Sequence, residues 1–297
     1  MRTCLPLLLI TLLAACSDPV DIDSGFAEAQ PVVDAWLTDE PVAQTIYLWQ
    51  TQDYFANAAP PPLTGAEVIV TSNGFAGVSY EFVEQAPGEY VWEPTDTEPT
   101  LSGGGSDYFL SVSFEAGGAQ QVLTASSTFN RVPDIDSLVV NFEESQIGLE
   151  EGLYAELFAR DLPGVGDRYL IRTTINDTLL NRPGELNLAA DAAFDGGTAS
   201  DGIPFILPIR RAVNKLDDDG APVALQSGDR VAVEIWSLTE EAFQFLSNAA
   251  EQIQNADSGL FSVPVVSTRG NVRAEGGAEA IGMFSLSRVS AAAVEVD

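Results

Sequence analysis

Histidine is absent from all 297 residues. Without an imidazole there is no Ser-His-Asp or Cys-His nucleophile system and no histidine-ligated zinc site. Cysteine is nearly absent as well. Cys4 and Cys16 are the only two, both close to the start, so the body is expected to rely on packing rather than disulfides. Basic residues are scarce: Lys plus Arg number 13 against 44 Asp plus Glu, a formal net charge of -31. A phosphate backbone needs a basic footprint, which excludes nucleic acid as the expected partner and disfavours adhesion of the body to anionic lipid. The acids are spread along the chain, as on a solvated surface whose self-repulsion salt would screen. No repeat of fixed period occurs, and no cofactor is implied. Gly103-Gly104-Gly105 and Gly276-Gly277 lack the strand and helix context of a phosphate loop. Carboxylate chemistry, such as glycoside hydrolysis or hard-metal catalysis, is what these absences leave open.

The start of the chain is the most specific feature present. Met1-Arg2-Thr3 precedes an apolar run from Leu5 to Leu13, which ends in Leu13-Ala14-Ala15-Cys16. A basic start, an apolar centre and small residues before a cleavage point make an export signal over residues 1–15. The run is shorter than the roughly 20 apolar residues that span a bilayer. A cysteine directly after two alanines resembles a bacterial lipoprotein signal, in which Cys16 is lipidated and becomes the new N-terminus; the alternative is an ordinary secretory signal cleaved near Ala15, with a free thiol at Cys16. Residues 16–30, with Asp18, Asp21, Asp23 and Glu28, read as an acidic tether.

Beyond the tether the patterning is that of strands. Pro31 to Leu37, Thr45 to Trp49, Ala66 to Val70, Val78 to Phe82 and Glu89 to Trp92 are short apolar or alternating runs separated by Gly, Pro and Asn. Tyr108 to Phe114 and Gln121 to Ala125 flank Gly117-Gly118 as a hairpin. This spacing predicts a mainly β chain. Residues 31–130 are expected to form an immunoglobulin- or transthyretin-like antiparallel β-sandwich. Residues 131–297 form a second β-rich domain, the boundary lying at Arg131-Val132-Pro133-Asp134-Ile135-Asp136. One amphipathic helix is expected at 239–255, with Thr239 as cap, Glu240 and Glu241 in the first turn, and a stripe of Ala242, Phe245 or Leu246, Ala249 and Ile253. A further extended piece is expected from Phe261 to Val266.

Candidate chemistry is thin. Asp217-Asp218-Asp219-Gly220 is the densest acid cluster, but it lacks the alternate spacing of an EF-hand loop and reads as a solvated hairpin tip. Asp191, Asp195 and Asp201 are a better-spaced loop set that still fits a turn-rich edge. Trp36, Trp49, Trp92 and Trp236 could make a carbohydrate platform, yet they lie in or beside strands, where core packing is the expected role. With 44 acids, no catalytic carboxylate pair can be chosen from spacing.

In order along the chain, Pro31 to Asp39, Gly65-Ala66-Glu67-Val68, Gly88-Glu89-Tyr90, Val132 to Leu138, Asp191 to Gly196, Leu238 to Leu246 and Gly282-Met283-Phe284-Ser285 together resemble a known family. It is the family of Bacteroidota outer-membrane lipoproteins catalogued as domain of unknown function 4249. The resemblance implies no catalytic activity and no active-site residues. It implies a lipid-anchored protein of the outer membrane, exposed at the cell surface, that acts as a non-enzymatic binding or accessory component of a TonB-dependent transport system. The partners expected are the membrane, through lipid on Cys16, and an outer-membrane transporter. A carboxylate-dependent glycan hydrolase and a purely structural envelope module are the competing expectations.

Overall fold

Val33, Ala35 and Leu37 alternate with outward residues along β1 (Pro31–Thr38), and Ile46 and Leu48 do the same along β2 (Gln44–Gln50). Each strand thus offers one apolar face, as the period of two requires. The pattern continues through β3 (Glu67–Ser72), β4 (Ser79–Ala86), β5 (Glu89–Trp92), β6 (Asp107–Ala116) and β7 (Ala119–Thr128). Gly117 and Gly118 supply the positive φ that the tight β6–β7 turn demands. The structure is a computed structural model that describes residues 29–52, 56, 58–73, 77–101, 107–256, 268, 270–275 and 280–297. Cys16, the export signal, most of the tether, the extended piece expected at Phe261 to Val266 and the two glycine runs lie outside the described residues.

The later strands are β8 (Ile135–Glu143), β9 (Gly152–Ala159), β10 (Arg168–Ile175), β11 (Thr178–Leu179), β12 (Asn187–Ala190), β13 (Arg230–Ser237), β14 (Arg273–Ala274), β15 (Ile281–Ser287) and β16 (Val289–Glu295). Two α-helices accompany them among the described residues, the short α1 (Leu207–Arg211) and the long α2 (Glu240–Ala256). The fold is mainly β, as the patterning implied.

The first seven strands join β14 and β15 in one continuous sheet of order β14-β7-β6-β3-β4-β5-β2-β1-β15. β4 turns the corner: its first half pairs with β3 and its second half with β5, across a register shift. The free ends nearly meet. Asn271 donates to Ser126 O and Phe284 O, accepts from Phe284 N–H, and so links β7 to β15. Leu286 N–H adds a bond to Ser127 Oγ at 3.1 Å. The sheet is thus barrel-like and nearly closed. Inside it Tyr80, Tyr90 and Tyr108 are fully buried, and their hydroxyls donate to Leu101 O, Leu63 O and Leu101 O. Burial, with Tyr108 and Glu98 nearby, pushes the Tyr80 phenol up to about 12.

Within residues 31–130 every strand pair is antiparallel. Later strands complete the sheet: β1 and β15 run parallel, Val33 facing Gly282 and Leu37 facing Leu286, and the core also draws on Val272, Phe284 and Leu286. β15 arrives after a crossover through the whole second region, and no hairpin dictates its direction. The join is close, since a Cβ on Gly282 (φ +130°) would run into the Val33 backbone.

The second region is a five-stranded sheet, β11-β10-β13-β16 with β12 also on β10. The β8–β9 hairpin and α1 cover its inner face over Tyr169, Ile171, Val231, Val233 and Ile235. α2 lies between the two sheets. Ala242, Phe243, Phe245 and Leu246 pack with Leu170, Trp236, Leu238, Met283 and Trp36. Thr239 Oγ1 accepts from Ala242 N–H at 3.2 Å, the cap expected of it. Ile253, expected in the buried stripe, is exposed. Among the described residues no helix is long and apolar enough to cross a membrane.

Candidate functional site

Among the described residues, three carboxylates come together where two loops of the second region cross, 160–167 after β9 and 191–204 after β12. Both loops are turn-rich in sequence, Leu162-Pro163-Gly164-Val165-Gly166 and Asp195-Gly196-Gly197. Their backbones cannot pair with a strand everywhere, and buried N–H groups need other acceptors. Asp191 provides them. It is fully buried at φ +50°, with Oδ1 accepting from Gly166 N–H (2.8 Å) and Asp167 N–H (2.9 Å), and Oδ2 from Gly197 N–H (2.7 Å).

Two further carboxylates join it. Asp161, also buried, accepts from Tyr169 Oη at 2.7 Å and Gly202 N–H at 3.0 Å. Asp167 takes a two-pronged contact from Arg131, Nε to Oδ1 at 2.9 Å and Nη2 to Oδ2 at 2.5 Å. The same guanidinium donates to Pro163 O and Gly164 O. Asp161, Asp167 and Asp191 each place an oxygen within 4.8 Å of the others.

Burial raises the Asp161 carboxyl above its ordinary value, against the Gly202 and Tyr169 hydrogen bonds, while the Asp167 and Asp191 charges add to the rise. Burial first, then Asp161, pushes the Tyr169 phenol far above its usual range. The hydrogen bond to Asp167 raises Arg131 further.

What this arrangement can do follows from where the oxygens point. Every oxygen of the three carboxylates already accepts from a tyrosine, a guanidinium or a backbone amide. A hard divalent cation takes six or more oxygen ligands, whereas the three acids place one oxygen each within reach of a common point. The three acids and Arg131 instead form a polar knot that fixes both loops.

The acids singled out by sequence fall in three places. Asp191 is at the centre of the knot. Asp195 is exposed and outside it, and Asp201 holds the rim through Gly164 N–H at 2.6 Å. Asp217, Asp218 and Asp219 are elsewhere, at a hairpin tip closed by the Leu216–Pro222 bridge. There Asp217 Oδ1 accepts from Asp219 and Ala221 N–H, and Asp218 turns outward towards Arg182 at 3.5 Å. These three do not converge. Asp161, Asp167, Arg131 and Tyr169 were not singled out. Two aspartates bracketing a Pro-Gly turn were the available sign, but a bracket in sequence does not say that a third acid from another loop will meet it. Of the tryptophans, Trp92 is in the barrel core against Tyr80 at 5.4 Å, and Trp36 and Trp236 lie under or beside α2. Trp49 alone is paired with an exposed ring, Tyr47, at 6.3 Å.

The class defined by these features is a mainly β protein with a nearly closed first sheet, a smaller second sheet and a helix packed between them. The family model described as Domain of unknown function (DUF4249) matches residues 17–292, and the chain belongs to that family. A search of curated proteins finds no match.

Proposed function

We propose that the protein is a lipoprotein held in the outer membrane by lipid on Cys16 and exposed at the cell surface. There it serves as a non-enzymatic binding or accessory component of a TonB-dependent transport system. One observation supports the anchor. The family match begins at residue 17, directly after the cysteine that follows the expected export signal. The family domain and the anchoring motif therefore abut, as they would in a mature chain that starts at Cys16. The acidic composition is consistent with a body kept off anionic headgroups and held to the membrane by its lipid. A single acyl chain binds weakly and reversibly, so stable anchoring calls for more than one chain on that residue. Metabolic labelling with palmitate tests the anchor. Wild type incorporates label and fractionates with the outer membrane, whereas Cys16→Ser does neither. Label retained in Cys16→Ser, or an unlabelled wild type, contradicts the proposal.

A further inference from the structure

On the outer surface of the barrel-like sheet, Asp34 of β1 and Glu89 of β5 stand directly opposite Tyr47 of β2, one on each side. Neighbouring strands are about 4.8 Å apart, so the two carboxylate-bearing positions are about 10 Å apart with one aromatic ring between them. Tyr47 is 43% exposed. Trp49, two residues on and on the same face, holds its ring 6.3 Å from Tyr47 at an interplanar angle of 34°. In the next row Trp49 has Val32 on one side and Pro62 on the other, and Val32 faces Ile281, itself 38% exposed. The surface is therefore an apolar strip crossing four chain segments, alongside a ring flanked by two acids.

Neither acid is neutralised within the described residues, where no Lys or Arg forms an ion pair with Asp34 or Glu89. Burial raises the Asp34 carboxyl, opposed by a hydrogen bond from Trp36. Its charge is thus held at a cost that a nearby cation would relieve. An aromatic face attracts a cation through its quadrupole, and carboxylates on both sides add to that attraction.

We propose that this face binds a basic segment of a partner polypeptide, with an arginine or lysine side chain over Tyr47 between Asp34 and Glu89 and flanking apolar side chains on the Trp49–Val32–Ile281 strip. Charge complementarity selects this occupant, since a chain with a net charge of -31 steers basic partners towards it. The inference goes beyond the accessory role proposed above and does not depend on the lipid anchor.

The test is a titration of the full chain at low salt with a blocked leucine–arginine–leucine peptide and its leucine–glutamine–leucine counterpart, read by tryptophan fluorescence. The arginine peptide should bind about tenfold tighter, from one cation–π contact and two half-buried charge contacts. Asp34→Asn with Glu89→Gln should remove that preference while the melting temperature stays within a few degrees. Glu89→Gln alone, at a half-exposed position, should reduce it about threefold and serves if the double variant does not fold. Tyr47→Ala should weaken the arginine peptide and leave the glutamine peptide unchanged. Equal affinities for the two peptides, a preference that survives the acid substitutions, or saturation of the same signal by maltose would overturn the proposal.

Discussion

The barrel-like sheet and the second region are both β structures, but they bury different chemistry. Inside the barrel the largest fully buried groups are Tyr80, Tyr90, Tyr108, Phe284 and a set of Leu, Ile and Val, with no buried carboxylate, Lys or Arg among the described residues. The second region buries Glu156, Asp161 and Asp191 together with Asn187 and Asn214. Each of these touches a loop or a helix end. Asn214, for example, bonds both the N–H and C=O of Ala155 and the Arg211 carbonyl. A nearly closed sheet satisfies most of its own backbone and needs only a few polar side chains, such as Gln44, Ser127 and Asn271, to complete it. A small sheet with long loops leaves backbone groups unpaired, and buried polar side chains must complete them.

The comparison can be broken in graded steps. Gly282→Ala should have the largest effect, because a Cβ there meets the Val33 backbone where β15 joins β1. A loss of about 4 kcal/mol or more is expected, measured by denaturant unfolding. Asp191→Ala should follow, at about 3 kcal/mol, because three N–H groups lose their acceptor. Its signature is regional. Hydrogen exchange should show lost protection at Gly166, Asp167 and Gly197 while β2 to β7 stay protected; equal loss in both regions would mean that the two cores are not separable. Tyr169→Phe removes one bond to Asp161 Oδ1 and should cost about 1–2 kcal/mol, read as a lower midpoint at unchanged slope. The smallest effect is the pH dependence of Asp34. Its folded value is raised by burial, so the native state takes up the proton more readily than the unfolded chain. Stability from this group therefore rises as pH falls from the raised value towards the ordinary one, and is lost as pH rises through that window. Thermal melts of Asp34→Asn across acidic pH should lack that contribution.

Local chemistry was legible in the sequence. Alternation at Val33, Ala35 and Leu37 marks β1, Gly117-Gly118 marks the β6–β7 turn, and Thr239 with Glu240 and Glu241 marks the start of α2 within one residue. Long-range partners were not. Nothing in Gly282-Met283-Phe284 says that it lies parallel to a strand some 250 residues earlier, because strand alternation is the same for either direction and any partner. Asp191 was visible as a loop acid, but its role depends on Asp167 and Asp161, which come from another loop. Trp49 illustrates the same limit. By pattern it matches Trp92, and only the register with Val32 and Pro62 places it on the outside of the sheet.

The most direct test of the anchored, accessory role is in-cell crosslinking followed by purification of the full-length protein from its own membranes. The expected result is an N-terminal peptide that begins at a lipidated Cys16, together with a TonB-dependent outer-membrane transporter crosslinked to wild type and absent with Cys16→Ser. A protein recovered unlipidated, or lipidated with no transporter crosslinked in repeated purifications, would contradict it.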